Sequence, residues 1–165
     1  MIVLKINPVG IDREIQNLQK YLESKLSTWN LEIYGRVETI ENKLHIHFKR
    51  DDYKEVLVLN NSFSGRVFFI DSNSYTVSRN RVKTKLEIVF LLDLSKIKTG
   101  ISHRCDEEVR VELIELISKK IGDDINVSKG QEVLKNYQTE LTDMQPYHFI
   151  GISFDYTYSQ NNCFK

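Results

Sequence analysis

His45 and His47 stand two residues apart, and Leu44, Ile46 and Phe48 alternate with them. Strand residues i and i+2 point to one face, so the two imidazoles would project together. Zinc needs three or four converging ligands, and His103 or His148 is the candidate third. The plain alternative is a polar strand surface facing solvent or a neighbouring subunit. Cys105 follows His103 and Arg104 and precedes Asp106, Glu107 and Glu108. A helix start favours a thiolate, but three adjacent acids oppose one. No base or oxyanion hole is indicated beside it, so an ordinary thiol is the expectation. Walker, dinucleotide-binding, GxSxG and HExxH motifs are all missing from the sequence. Carboxylate pairs assembled in space stay open. The expectation is a protein that works by binding geometry, without catalysis and without a cofactor.

A second kind of chemistry is charge. Arg79, Arg81, Lys83 and Lys85 recur at a period of two ahead of an apolar run. On a strand they form one basic stripe, able to hold phosphates without reading bases. A solvated strand face, or salt bridges to a neighbouring subunit, explains them equally well. Arg104, Asp106 and Glu107, with Arg110 a turn later, form a candidate ion network. It serves either as a subunit contact or as ordinary helix surface pairs worth tenths of a kcal/mol each. Tyr147, Tyr156 and Phe164 are candidate oligomer contacts, since aromatic side chains serve interfaces and cores alike.

The elements that would position these residues show in the hydrophobic periods. Ile11, Ile15, Leu18, Leu22 and Leu26 recur at helical spacing, predicting an amphipathic helix over about 12–26. Asp106–Lys119 is a second helix, with acids in its first turn, lysines at its end and Gly122 as its stop. Between them the chain reads as sheet. Strands are predicted over 31–39 and 44–48, and over the short runs 55–59 and 66–70; a turn is expected at 50–53. Arg81–Leu94, apolar on both faces in its second half, is the central strand candidate. Residues 123–147 read as loop with one short helix near 131–137, and Pro146 leads into the last strand. There Ile150, Ile152, Phe154, Tyr156 and Tyr158 alternate with Gly151, Ser153, Asp155 and Thr157, predicting one buried and one wet face. The expected fold is α+β: an antiparallel or mixed sheet with two amphipathic helices on one face.

The 165 residues fit one domain, 1–165, with room for a real core. Lys plus Arg equals Asp plus Glu at 23 each, so the basic excess of a dedicated nucleic-acid binder is missing. Cys105 and Cys163 are too few for a cysteine-rich metal site; reduced thiols are expected, with one disulfide as the alternative. The longest apolar run, Leu86–Leu94, contains Glu87 and Asp93 and is too short to span a bilayer, so no membrane partner and a soluble protein are expected.

The order of features carries a resemblance over nearly the whole chain. IDREIQNLQKYL is followed by a short-stranded sheet ending in LEIVFLLDL, then HRCDEEVRVELIELI, MQPYHFIGISF and the aromatic-rich YTYSQNNCF. This resembles a small protein family of tailed phages and Bacteroidetes-type prophages. It is similar in plan to tail terminator, tail completion and neck (head-tail joining) proteins. The resemblance implies an oligomeric ring, commonly a hexamer, that caps or joins the tail. It implies phage tail-tube or neck proteins as partners, incidental contact with DNA, and a place in the virion after assembly in the bacterial host cytoplasm. The alternatives are a nucleic-acid-binding accessory protein using Arg79–Lys85 and, more remotely, a metal-dependent hydrolase using His45 and His47.

Overall fold

The computed structural model describes residues 1–41, 43–49, 52–57, 62–101, 105–135 and 147–159. Its element order is α1 (Ile11–Lys25), β1 (Leu31–Ile40), β2 (Lys43–Lys49), β3 (Asp52–Glu55), β4 (Gly65–Ser78), β5 (Arg81–Asp93), α2 (Leu94–Ile97), α3 (Asp106–Ile121), β6 (Ile125–Lys129) and β7 (Tyr147–Ser159). Single 3-10 turns lie at Ser27–Trp29 and Gly130–Leu134. The strands form one mixed sheet in the order β3-β2-β1-β4-β5-β7-β6. Only the β1–β4 pairing among them is parallel, and the chain start adds a parallel bridge from Ile2 to Ile33. The fold is α+β, with its helices on one face of the sheet, as the hydrophobic periods predict.

α1 buries Ile11, Ile15, Leu18 and Leu22, an i, i+4, i+7, i+11 stripe. α3 buries Val109, Leu113 and Ile117 and ends where Gly122 takes φ 112°, a left-handed conformation that few side chains tolerate. Both stripes join one apolar layer with Val67, Phe69, Leu86, Ile88, Phe90, Leu92, Ile150, Ile152 and Phe154. No helix among the described residues is long and apolar enough to cross a membrane.

The opposite face is not left wet along its whole length. β1 pairs β4 as far as Arg36, with an irregularity after Ile33, and then pairs β2 from Val37 to Ile40. A bulged strand bends, and here the bend serves a cover. Leu44, Ile46 and Val56 from the β2–β3 hairpin pack with Phe68, Ile70, Val89 and Leu91 of the main sheet. The expectation of one wet face therefore fails for the first half of β7. Phe149 is buried there, and a Cβ on Gly151 would lie 2.5 Å from Ser128 Oγ and also against the Glu87 carboxylate. Only glycine lets that carboxylate lie so close over the strand. Burial pushes the Glu87 carboxyl up, against a smaller opposing pull from Ser128 and Lys85.

Element boundaries differ from the sequence reading at several points, and Leu94, read as the end of the central strand, begins the short helix α2. The strand expected over 55–59 is Asp52–Glu55, so half of the expected 50–53 turn is strand; Val56 and Leu57 are turn. The run expected over 66–70 extends to Ser78, because β5 pairs with it as far as Arg81↔Ser78. Residues 125–129, read as loop, form edge strand β6 against β7. Pro146 lies outside the described residues.

The pairing leaves a projecting ribbon. β1 reaches β4 only to Phe69, and β6 reaches β7 only to Phe154. Beyond those points β4, β5 and β7 continue alone among the described residues, to the β4–β5 turn at Arg79–Asn80. Register places Tyr75, Thr84 and Tyr156 in one row and Val77, Val82 and Tyr158 in the next, on the helix side. Tyr75 is 41% and Val77 57% exposed.

Candidate functional site

The basic stripe lies on the other face of this ribbon. Arg81, Lys83 and Lys85 alternate with inward Val82, Thr84 and Leu86, so all three leave the sheet on the side away from the helices. All are exposed. Arg79 is not a strand residue: it occupies the turn with φ 53° and extends the charge to the tip. Lys83 pairs with Asp155 of β7 at 2.6 Å, and that hydrogen bond holds its ammonium above the ordinary range. The structure thus keeps Arg81, Lys83 and Lys85 on one face of β5 with Arg79 in the adjoining turn, and Asp155 engages Lys83.

The opposite side of the ribbon is tied to α1. Tyr156 donates to Glu14 at 3.1 Å and packs on the helix-side core, so this half-buried oligomer-contact candidate is partly structural. Arg36 bridges Asp12 (3.2 Å) and Asp71 (3.0 Å), Lys5 joins Asp12, and the Tyr75 hydroxyl donates to Asp71. A second network is deeper. Arg66 Nε meets Glu32 at 2.7 Å and its Nη1 donates to the Val56 carbonyl at 2.7 Å, with both side chains buried. Neither network is visible in sequence spacing, because partners such as Glu32 and Arg66 meet only through strand pairing.

These networks hold three phenols in the neutral form. Tyr34, Tyr75 and Tyr156 are each pushed up to about 12, first by burial and then by Glu32, Asp71 and Glu14 respectively. An unfolded tyrosine loses its proton near 10. Between about pH 10 and about 12 the folded state therefore binds more protons than the unfolded state, and stability falls as pH rises. Urea midpoints across that range should decline together with tyrosinate absorbance. A flat midpoint up to pH 12 would mean the phenols titrate normally. Tyr34→Phe should reduce the slope.

His45 and His47 do share a face of β2, opposite buried Leu44 and Ile46. His45 Nδ1 lies 3.2 Å from the Lys43 carbonyl, and His47 stacks edge-on against Tyr53 with centroids 5.4 Å apart. His103 lies outside the described residues. His148 is on β7, with three strands between it and β2 in the sheet order, so it does not join the pair. Among the described residues no group of three His, Cys, Asp or Glu side chains is gathered as for a metal. Cys105 is buried and free at the α3 N-terminus; Cys163 lies outside the described residues.

The α3 start forms a second candidate site. Glu107 pairs with Arg110; Arg104 and Phe164 lie outside the described residues. A cleft of about 380 Å³ opens beside this first turn, lined by Asp106, Arg110, Lys129, Gly130 and Tyr147–Ile150. It brings together Asp106 and Tyr147, two of the residues singled out as contacts. That Lys129 and His148 line the same cleft as Arg110 has no signal in the sequence.

No protein-family model matches the chain, and no curated protein matches it. Fold and sites together define an α+β chain with a sheet packed on both faces, an amphipathic ribbon and an edge cleft.

Proposed function

We propose that this chain is a structural assembly subunit that self-associates into a closed ring, as in the tail terminator and neck proteins it resembles. The reading rests above all on the ribbon β4–β5–β7. It extends past both flanking strands and exposes Tyr75 and Val77 on one face, with cations on the other. Exposed apolar side chains on a projecting element suit a protein contact. A heterologous contact made by every copy closes into a ring or grows into a fibre, and repeated weak contacts add by multivalency. Electron cryomicroscopy of particles containing the chain tests the reading. A symmetric ring at a tail end or neck supports it; a free monomer with measurable turnover sinks it. Val77→Lys should abolish the ring while lowering monomer stability by no more than about 1 kcal/mol.

A second reading, contact with DNA, is favoured by Arg79 and Arg81, exposed at the ribbon tip beside Lys83 and Lys85. Arg81→Ala with Lys83→Ala leaves the apolar pattern intact, so the fold should survive. DNA affinity should drop and its salt dependence become shallower by about one unit per lost phosphate contact. Arg81 should account for most of the change, because Asp155 already engages Lys83. Identical wild-type and variant titrations would remove this role.

A further inference from the structure

We infer that the basic stripe of the ribbon docks on an exposed acidic stripe of α3 in a second copy of the chain, a head-to-tail contact. The inference rests on the ring reading and names the polar half of its contact, beside the apolar half at Tyr75 and Val77. Helix geometry makes the acidic stripe. Glu108, Val111, Glu112 and Glu115 follow at i, i+3, i+4 and i+7, so they share one face. All four are exposed, while Val109, Leu113 and Ile117 turn into the core. Val111 is 45% exposed among the three carboxylates. An exposed apolar side chain within one sign of charge suits a partner that brings both the opposite charge and hydrocarbon. Arginine and lysine bring both, because their stems cover apolar surface while their heads stay with the charge.

The ribbon supplies such side chains. Arg79, Arg81 and Lys85 keep its outer face basic although Asp155 engages Lys83. The lengths match: Arg81 to Lys85 spans about 13 Å of strand, and Glu108 to Glu115 about 10 Å of helix. Glu112 already holds Lys98 at 2.6 Å and Glu115 holds Lys119 at 3.7 Å. Those pairs are solvent-exposed and weak, so incoming cations can share the carboxylates. Within Asp106–Glu115 five carboxylates stand against one cation, Arg110. The whole chain has 23 cations and 23 anions, so it meets its own copy without net repulsion. α3 packs on one face of the sheet and the basic stripe leaves the other. A copy docked by its ribbon therefore still offers its own α3 to the next copy, and such a contact closes into a ring or grows.

Sedimentation velocity of the whole chain tests this with two charge-reversed variants. One is Arg79→Glu with Arg81→Glu; the other is Glu108→Lys with Glu115→Lys. All four positions are exposed, so both variants should fold, which circular dichroism checks. In dilute salt the wild type should associate beyond a dimer with a Kd on the order of 0.1 mM. Raising salt to about 0.5 M should weaken this at least about tenfold. Each variant alone should lose at least about tenfold in affinity. Their equimolar mixture should associate again, because a reversed ribbon meets a reversed helix. A chain carrying all four changes should do the same. Association of either variant alone at wild-type affinity would overturn the inference and leave the ring to another surface; if that ribbon variant had also lost DNA binding, the stripe would belong to DNA. Folded variants that do not recover, either mixed or combined in one chain, would overturn it too. So would a wild type that stays monomeric at about 1 mM, tenfold above the expected Kd. That last result leaves the ring itself to be decided on assembled particles.

Discussion

Replacing Arg66 by alanine should destabilise the protein by about 3–5 kcal/mol, the cost of leaving one member of a buried ion pair alone. Glu32 and Arg66 are 4% and 8% exposed and lie between the main sheet and the β2–β3 cover. The alanine variant strands the Glu32 carboxylate and also frees the Val56 carbonyl that Arg66 holds. Removing both charges together, as Glu32→Leu with Arg66→Met, should recover most of the loss, because a packed apolar pair avoids the desolvation of two ions. The comparison is made by urea denaturation, with the m-value checked for constancy. A single-variant loss under about 1 kcal/mol would mean that water reaches the pair.

The same pair marks the limit of what sequence reveals. α1 and α3 are legible because an apolar stripe of period 3.6 is a local pattern, and β5 is legible because it is apolar on both faces. The second half of β4 is not. Asp71–Ser78 carries three serines beside Asp71 and Asn73 and has no clean alternation, and its strand state comes from pairing with β5. β6 is five residues of mixed polarity held by β7. The cover over the second face depends on a bend in β1 after Ile33, which only the register exposes. Site residues divide along the same line. Arg81, Lys83 and Lys85 lie on one strand and share the face their spacing demands. Asp106, Arg110, Lys129 and His148 come from three elements and meet only once β7 lies between β5 and β6. Glu32 and Arg66 belong to this second group, two charges in separate apolar runs with nothing local to join them.

Phe90→Ala should cost a further large share of stability, about 3–5 kcal/mol, for a different reason. Phe90 is fully buried on the helix side of β5, opposite Val67 of β4 and Ile150 of β7. Truncation removes its transfer free energy and leaves a cavity in the layer where α1 and α3 meet the sheet. Strands flank β5 on both sides, and its other face is packed at Val89 and Leu91 by the second core. The backbone therefore cannot move inward to fill the space, which places the expected loss toward the upper end of the range. Phe90→Leu keeps most of the volume and should cost roughly 1 kcal/mol. The gap between the two variants measures the cavity rather than the lost aromatic ring. Equal losses would show that ring-specific contacts dominate, and an alanine loss below about 1 kcal/mol would place Phe90 outside the core. Neither variant touches Arg81 or Val77, so at temperatures where both stay folded, any ring or DNA binding should match wild type. A variant that folds yet fails to assemble would instead show that the helix–sheet layer sets the geometry of the ribbon.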